Sequence, residues 1–315
     1  MPLCRRSFLA TLAAVSLAPL AARAATGPRV VVTTGMIADA AQAVLGAEVT
    51  SLMGPGLDPH SYRQTRSDIA ALAGADLVLY HGLYLEAQME AFLLDLGRRK
   101  PVVAVAEALP HERLIGHPEY AGRFDPHVWM DPTLWAPVVD RIATALAEVA
   151  PDDGMAARAA AYRGQVLALD GYAREVLATV PEGARVLVTA HDAFSYFGRA
   201  YGWEVQGIQG ISTDSEAGLA RIGDLVDLLV ARNVGAVFVE SSVSDRTIRA
   251  LVEGAAARGH AVVIGGELFS DAMGEAGSYE GTYPGMIDHN ATTIARALGG
   301  RVPPRGMQGK LRAEA

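Results

Sequence analysis

Short β-branched apolar runs alternate with helix-length amphipathic stretches along nearly the whole chain. The first half carries runs at Val30–Thr33, Val49–Met53, Leu77–Tyr80 and Val102–Val105, each bounded by turn residues. The second half carries Val186–Thr189, Val205–Ile208, Ala236–Val239 and Ala261–Ile264. Buried strands with no polar face, separated by helix-length segments, predict parallel sheets covered by helices. Between the halves, 133–149 reads as a helix stopped before Pro151. A second helix follows from the Asp152-Asp153 pair, which can cap it, to about Val180. Its Tyr162, Val166, Leu169, Val176, Leu177 and Val180 recur at three- and four-residue steps, a single buried stripe. At ~1.5 Å per residue this helix is roughly 40 Å long and can run along both halves. The predicted fold is therefore α/β: two lobes, each a mostly parallel four-stranded sheet covered by helices, joined by one long rigid helix. The expected division is a signal segment 1–24, a first lobe 25–151, a connecting helix 152–181 and a second lobe 182–315. Thr213-Asp214-Ser215-Glu216 has the form of a capping box and is expected to start the helix through Val230. A last helix is expected over Asn290–Leu298.

The bulk properties narrow the function classes. With 315 residues, 50% hydrophobic and 20% charged, the chain has an ordinary globular composition with room for two domains. Its net charge of -8 and the lack of a Lys/Arg cluster beyond the first residues argue against a nucleic-acid partner. At the N-terminus, Arg5-Arg6, an apolar run Phe8–Leu20 and the small-residue site Ala22-Arg23-Ala24 read as an export signal, with cleavage expected after Ala24. Cys4–Ala10 resembles the twin-arginine consensus, with Cys4 and Ala10 departing from it, and general secretion is the alternative route. The apolar run is short for a ~20-residue membrane span. A periplasmic, exported protein is expected. Cys4, the only cysteine, lies inside this signal, which leaves no disulfide and no thiolate metal site in the exported chain.

Open parallel sheets bind ligands beyond the carboxyl ends of their strands. Four residues in such places can ligate a metal. His60 lies in the turn-rich loop Gly54–Tyr62. His127 lies between the turns Asp125-Pro126 and Asp131-Pro132. His191 follows the run at Val186, and Asp271 follows Gly265-Gly266-Glu267-Leu268-Phe269-Ser270. They form no local motif, so a site must be assembled across the lobe interface. Three imidazoles and a carboxylate complete a four-donor shell for one divalent transition metal and leave no position for an activated water, which favours binding over hydrolysis. Taken singly, each histidine also fits a packing or surface role. His81, His111, His117, His260 and His289 receive that reading, with His111 and His117 as a weak accessory pair. Asp58, Asp125, Asp131, Asp192 and Glu240 are expected to make turns, cap helices or orient a ligand histidine. The competing functions are a three-histidine metallohydrolase with Asp271 as base, and a surface adhesin on the same scaffold.

Gly56-Leu57-Asp58-Pro59-His60-Ser61-Tyr62, Asp125–Pro132, Thr189–Phe197 and Leu268–Asp271 together resemble the zinc- and manganese-binding solute-binding proteins of ABC transporters, the TroA/ZnuA type. Gln209–Thr213 and Gly281–Met286 are similar to it as well, so the resemblance runs through essentially the whole exported chain. It implies two α/β lobes joined by one helix, with one ion as cargo, zinc or manganese, held between them by His60, His127, His191 and Asp271. It also implies delivery to a permease in the inner membrane powered by an ATPase. The protein is expected to be a monomer and not an enzyme. Many zinc importers of this type carry a long His-rich loop, whereas 109–124 is short here. Many manganese-selective ones place Glu where this chain has His191. Both metals stay open. Affinity is expected to fall as pH drops through about 6.5, the ordinary imidazole value, and a rigid connecting helix implies small local motion on binding.

Overall fold

The computed structural model describes residues 27–117, 120–214 and 218–312. The chain opens with β1 (Val30–Val32), α1 (Gly35–Leu45), β2 (Thr50–Ser51), α2 (Arg66–Gly74), β3 (Leu77–Tyr80), α3 (Glu90–Gly97) and β4 (Val102–Ala104). These strands form one parallel sheet in the order β2-β1-β3-β4. Val30 to Val32 and Leu77 to Tyr80 are buried on both faces, as strands under two layers of helices must be. Thr65 and Asp68 make the capping box of α2, each side chain meeting the other's backbone N–H, although the sequence reading did not single them out.

Two long helices follow, α4 (Pro132–Val149) and α5 (Met155–Leu177). Asp131 caps α4 by accepting from Thr133 N, and Pro132 stands at the first helical position, where its missing N–H costs nothing. Every residue of the stripe expected on the second helix is buried. That helix starts at Met155 because Asp152, Asp153 and Gly154 form a turn in which Asp152 Oδ1 accepts from Gly154 N at 3.1 Å.

The second lobe contains β5 (Val186–His191), α6 (Ser195–Tyr201), β6 (Glu204–Gln209), α7 (Leu219–Arg232), β7 (Ala236–Glu240), α8 (Arg246–Ala257), β8 (Val263–Leu268) and α9 (Tyr283–Ala297). All four expected strands are present and parallel. They hydrogen-bond as two pairs, β5-β6 and β7-β8, and not as one four-stranded sheet. β8 lies further along than the apolar run suggested, because its register sets Val263 opposite Ala236. Gly266 sits at an irregularity in that pairing with φ +149°, and a Cβ there would meet Thr293 Cγ2 at 2.5 Å.

Two helix starts differ from expectation. α7 begins at Leu219 with Gly218 at its cap, so Thr213 does not cap it. The rest of that expected box, Ser215-Glu216, lies outside the described residues. α9 begins at Tyr283, earlier than Asn290, because Thr282 accepts from Gly285 N and Pro284 pre-sets the first turn.

One apolar cluster runs through both lobes. It joins Val30, Ile37 and Trp135 to Phe194, Phe238 and Tyr283 by way of α5 residues such as Val166 and Leu169. Buried hydrogen bonds cross the same interface: Trp129 Nε1 to Ser270 O at 2.8 Å, Tyr283 O–H to Trp129 O at 2.9 Å, and Tyr196 O–H to Asp125 O at 2.8 Å. Parting the lobes widely would break these bonds and wet the core between them. No helix among the described residues is long and apolar enough to cross a membrane. The expected signal segment lies outside them.

Candidate metal centre

The four residues singled out in the sequence meet at the interface. His60 comes from the loop after β2, His127 from the turn leading into α4, His191 from the end of β5, and Asp271 from the loop after β8. All are at most 3% exposed. One donor atom from each lies within 4.8 Å of all the others. His127 Nε2 stands 3.2 Å from His60 Nε2, 3.3 Å from His191 Nε2 and 3.3 Å from Asp271 Oδ1. Asp271 Oδ2 stands 3.2 Å from His191 Nε2. With one donor atom of each within 4.8 Å of all the others, the four side chains could surround one divalent ion. Lone pairs converging on one dry point repel unless a cation or protons sit among them, so the donor set fits a divalent ion. Both oxygens of Asp271 face histidines, and two-oxygen ligation would add the fifth donor that a larger, oxygen-preferring ion accepts.

Two of the three imidazoles are aimed by buried carboxylates. Asp125 Oδ1 accepts from His127 Nδ1 at 2.7 Å and from His127 N at 2.9 Å. Glu240 uses one oxygen for His191 N at 2.9 Å and the other for His191 Nδ1 at 2.5 Å. A proton fixed on Nδ1 leaves Nε2 as the donor toward the cluster. Asp58 Oδ1 accepts from His60 N at 2.8 Å, a local turn that sets the His60 backbone. β6 passes hard against the end of β5, where a Cβ on Gly207 would lie 2.5 Å from Asp192 N. Only glycine lets the two chains come that close at His191.

The electrostatics split the histidines. Burial disfavours charge on His127, but Asp125 and Asp271 outweigh it and push the pKa up to about 9. His191 behaves alike: burial opposes its charge, and Asp271 and Glu240 together raise it well above the ordinary value. Burial, reinforced by the other two histidines, lowers His60 to about 4 against the pull of Asp271. Asp271 is held well below the carboxylate range: burial opposes this, and His191 and His127 overcome it.

Of the remaining candidates, Asp125 and Glu240 orient His127 and His191, Asp131 caps α4, and Asp192 accepts from Ser195 Oγ at 2.7 Å. His111 and His117 do not join the cluster and lie against the rings of Phe124 and Tyr120. His81 is fully buried between Trp129 and Trp135 with Nε2 2.7 Å from Pro126 O, a packing role that steadies the turn bearing His127. The sequence reading missed the groups behind Asp271. Ser242 Oγ donates to Asp271 Oδ2 at 3.3 Å, and Trp129 holds the Ser270 carbonyl. An isolated serine on a turn carries no signal of its own, whereas Trp129, two residues from His127 in a Pro-bounded stretch, could have been suspected.

Glu240→Gln tests the orienting role. A carboxamide has one acceptor where two are used, so either His191 N or His191 Nδ1 would face an NH2 group. Metal affinity is expected to fall about 10–100-fold, read by competition with a chelator. Unchanged affinity would mean that Glu240 does not select the tautomer.

A buried three-histidine, one-carboxylate cluster between two α/β lobes could hold a single divalent ion, which points to the class of metal-binding proteins. Residues 30–297 match the family model described as zinc-uptake complex component A, periplasmic. The chain is 50% identical over 275 residues to the manganese-binding lipoprotein MntA of Bacillus subtilis (strain 168), covering 86% of this chain and 89% of that one. It is 46% identical over 275 residues to the zinc-binding protein TroA of Treponema pallidum (strain Nichols), with the same coverage of 86% and 89%. The solved structure of periplasmic zinc-binding protein TroA from Treponema pallidum superposes with a TM-score of 0.84, covering 86% of this chain and 99% of that one. The chain belongs to this family, the metal-binding substrate-binding proteins of ABC transporters.

Proposed function

We propose that this protein is an extracytoplasmic receptor that captures one zinc or manganese ion through His60, His127, His191 and Asp271 and hands it to the membrane permease of an ABC importer. The observation that supports this reading is the convergence of four buried donor atoms from both lobes, all within 4.8 Å of one another. The ion is cargo. A shell closed by protein donors leaves no bound water to activate, so the reading is of a non-enzymatic protein. Export by a cleaved signal over 1–24, a monomeric state, and the division into a first lobe (25–151), connector (152–181) and second lobe (182–315) belong to the same proposal.

The two relatives above carry zinc in one name and manganese in the other, and the donor set is compatible with both. Three imidazoles favour zinc, while a carboxylate with both oxygens turned inward admits manganese. Elemental analysis of the protein isolated from its native compartment, followed by zinc and manganese competition, is expected to give about one divalent ion per chain. An ion-free protein that takes up neither metal would overturn the reading.

A further inference from the structure

Three of the four ligand residues are locked from behind, and one is not. His127 and His191 are gripped by buried carboxylates, and Asp271 by Ser242 in a loop whose Ser270 carbonyl is tied to Trp129. His60 instead rides on a loop whose crest, Gly54 to Leu57, is exposed. That loop is pinned at its ends by Met53 N to Thr33 O at 3.0 Å and by Tyr62 O–H to Asp68 Oδ2 at 2.8 Å. His60 also lines a cleft of about 770 Å³ between the lobes, beside Tyr84, Asp192, Gln209 and Arg221, while the crest of its loop, Gly54, Pro55 and Leu57, lines a second of about 530 Å³ with Asp271. With the lobes welded by a shared core, an ion must leave by a local movement. The His60 loop is the element free enough to make it.

In the middle of that loop sits Asp58. One of its oxygens holds His60 N, and the other accepts from Ser61 Oγ at 2.8 Å and, across the cleft, from Thr213 Oγ1 at 2.6 Å. We infer that the Asp58–Thr213 hydrogen bond is a latch between the lobes that sets the rate of ion release by holding the His60 loop closed. Among the described residues Thr213 hydrogen-bonds to Asp58 and to none of the four cluster side chains, so it acts through Asp58 as a positioning residue. The inference rests on the receptor reading above. It separates two properties that the ligand set alone joins: the ligands fix how tightly the ion is held once enclosed, and the latch fixes how often the enclosure opens.

The test is stopped-flow transfer of zinc from the loaded full-length exported protein to excess chromogenic chelator, for wild type, Thr213→Val and Thr213→Ser. Losing one hydrogen bond to a charged acceptor corresponds to about a tenfold faster release. Thr213→Val is expected to release zinc about ten times faster than wild type, and Thr213→Ser at the wild-type rate because it keeps the hydroxyl. A merely structural role for Thr213 would lower the melting temperature of metal-free Thr213→Val and leave its release rate at the wild-type value, so the release rate is the deciding readout. Zinc-loaded wild type and Thr213→Val releasing at equal rates would overturn the latch and leave the receptor reading intact, as would equal acceleration in the Val and Ser variants. A wild type that takes up no zinc or manganese would overturn both.

Discussion

His127→Ala is expected to weaken divalent-metal binding by two to three orders of magnitude. Its Nε2 is the hub of the cluster, within 3.3 Å of a polar atom from each of the other three cluster residues. Four-donor zinc sites bind with ~10–16 kcal/mol, so one donor of four is worth roughly 2.5–4 kcal/mol, and each ~1.4 kcal/mol is tenfold in affinity. The substitution has a second consequence that the ligand count does not include. Asp125 is fully buried, and its Oδ1 loses the imidazole while keeping only the backbone N–H of residue 127. Breaking a buried charged pair from one side costs about 3–5 kcal/mol, so the metal-free variant is also expected to melt at a lower temperature. His60→Ala separates the two effects, because among the described residues its ring is hydrogen-bonded only within the cluster. It should lose affinity with little change in metal-free melting. Chelator competition on both variants decides: binding within threefold of wild type in both would mean that the ligand set is wrong.

The parts of this molecule that could be read in the sequence are those in which a local pattern and its structural cause coincide. Strands buried on both faces show as unbroken apolar runs, and the stripe of the connecting helix shows as a three-four spacing, because in both cases the pattern is the burial itself. The candidate metal residues drew notice for a different reason: His60 and His127 stand beside prolines in turn-rich segments, and Asp271 follows a strand and a glycine pair. What stayed hidden depends on distant partners. Whether β5 and β7 share a ladder is decided by the backbone path of the second lobe, and nothing in Val186–His191 encodes it. Thr213-Asp214-Ser215-Glu216 has the composition of a cap, yet Thr213 spends its hydroxyl on Asp58, 155 residues away, and the helix begins later at Leu219. Local propensity for a cap lost to a long-range bond. The same limit applies to Glu240, which the sequence placed among several carboxylates of similar standing. Its hold on His191 spans 49 residues.

Binding of one divalent ion at neutral pH is expected to expel about two protons, so that affinity rises about 100-fold per pH unit there. The sequence alone placed the pH dependence near 6.5, the value of a free imidazole. The carboxylates behind the ring move it upward. In the metal-free protein His127 titrates at about 9 and His191 well above its ordinary value, so both are charged at neutral pH, while His60 at about 4 is already neutral. Ligation needs a bare Nε2 on each. The ion must therefore displace the Nε2 protons of His127 and His191, and the Nδ1 protons stay bonded to Asp125 and Glu240. The sign follows directly: the free site holds protons that the loaded site lacks, so raising the pH favours loading until the free site loses them unaided. The slope should lessen as pH passes about 9, where His127 deprotonates. Below about 4 it should steepen, because His60 then carries a proton as well. The exchange keeps the charge of the buried cluster constant, since a doubly charged ion replaces two protons among the same carboxylates. Such an exchange would let the site load and unload without leaving Asp125, Glu240 and Asp271 uncompensated. Calorimetric titration at pH 7 in two buffers of different ionisation enthalpy counts the protons directly. Asp125→Asn should lower the count to about one by returning His127 toward neutrality, and a wild-type count near zero would show that the histidines are neutral before the ion arrives.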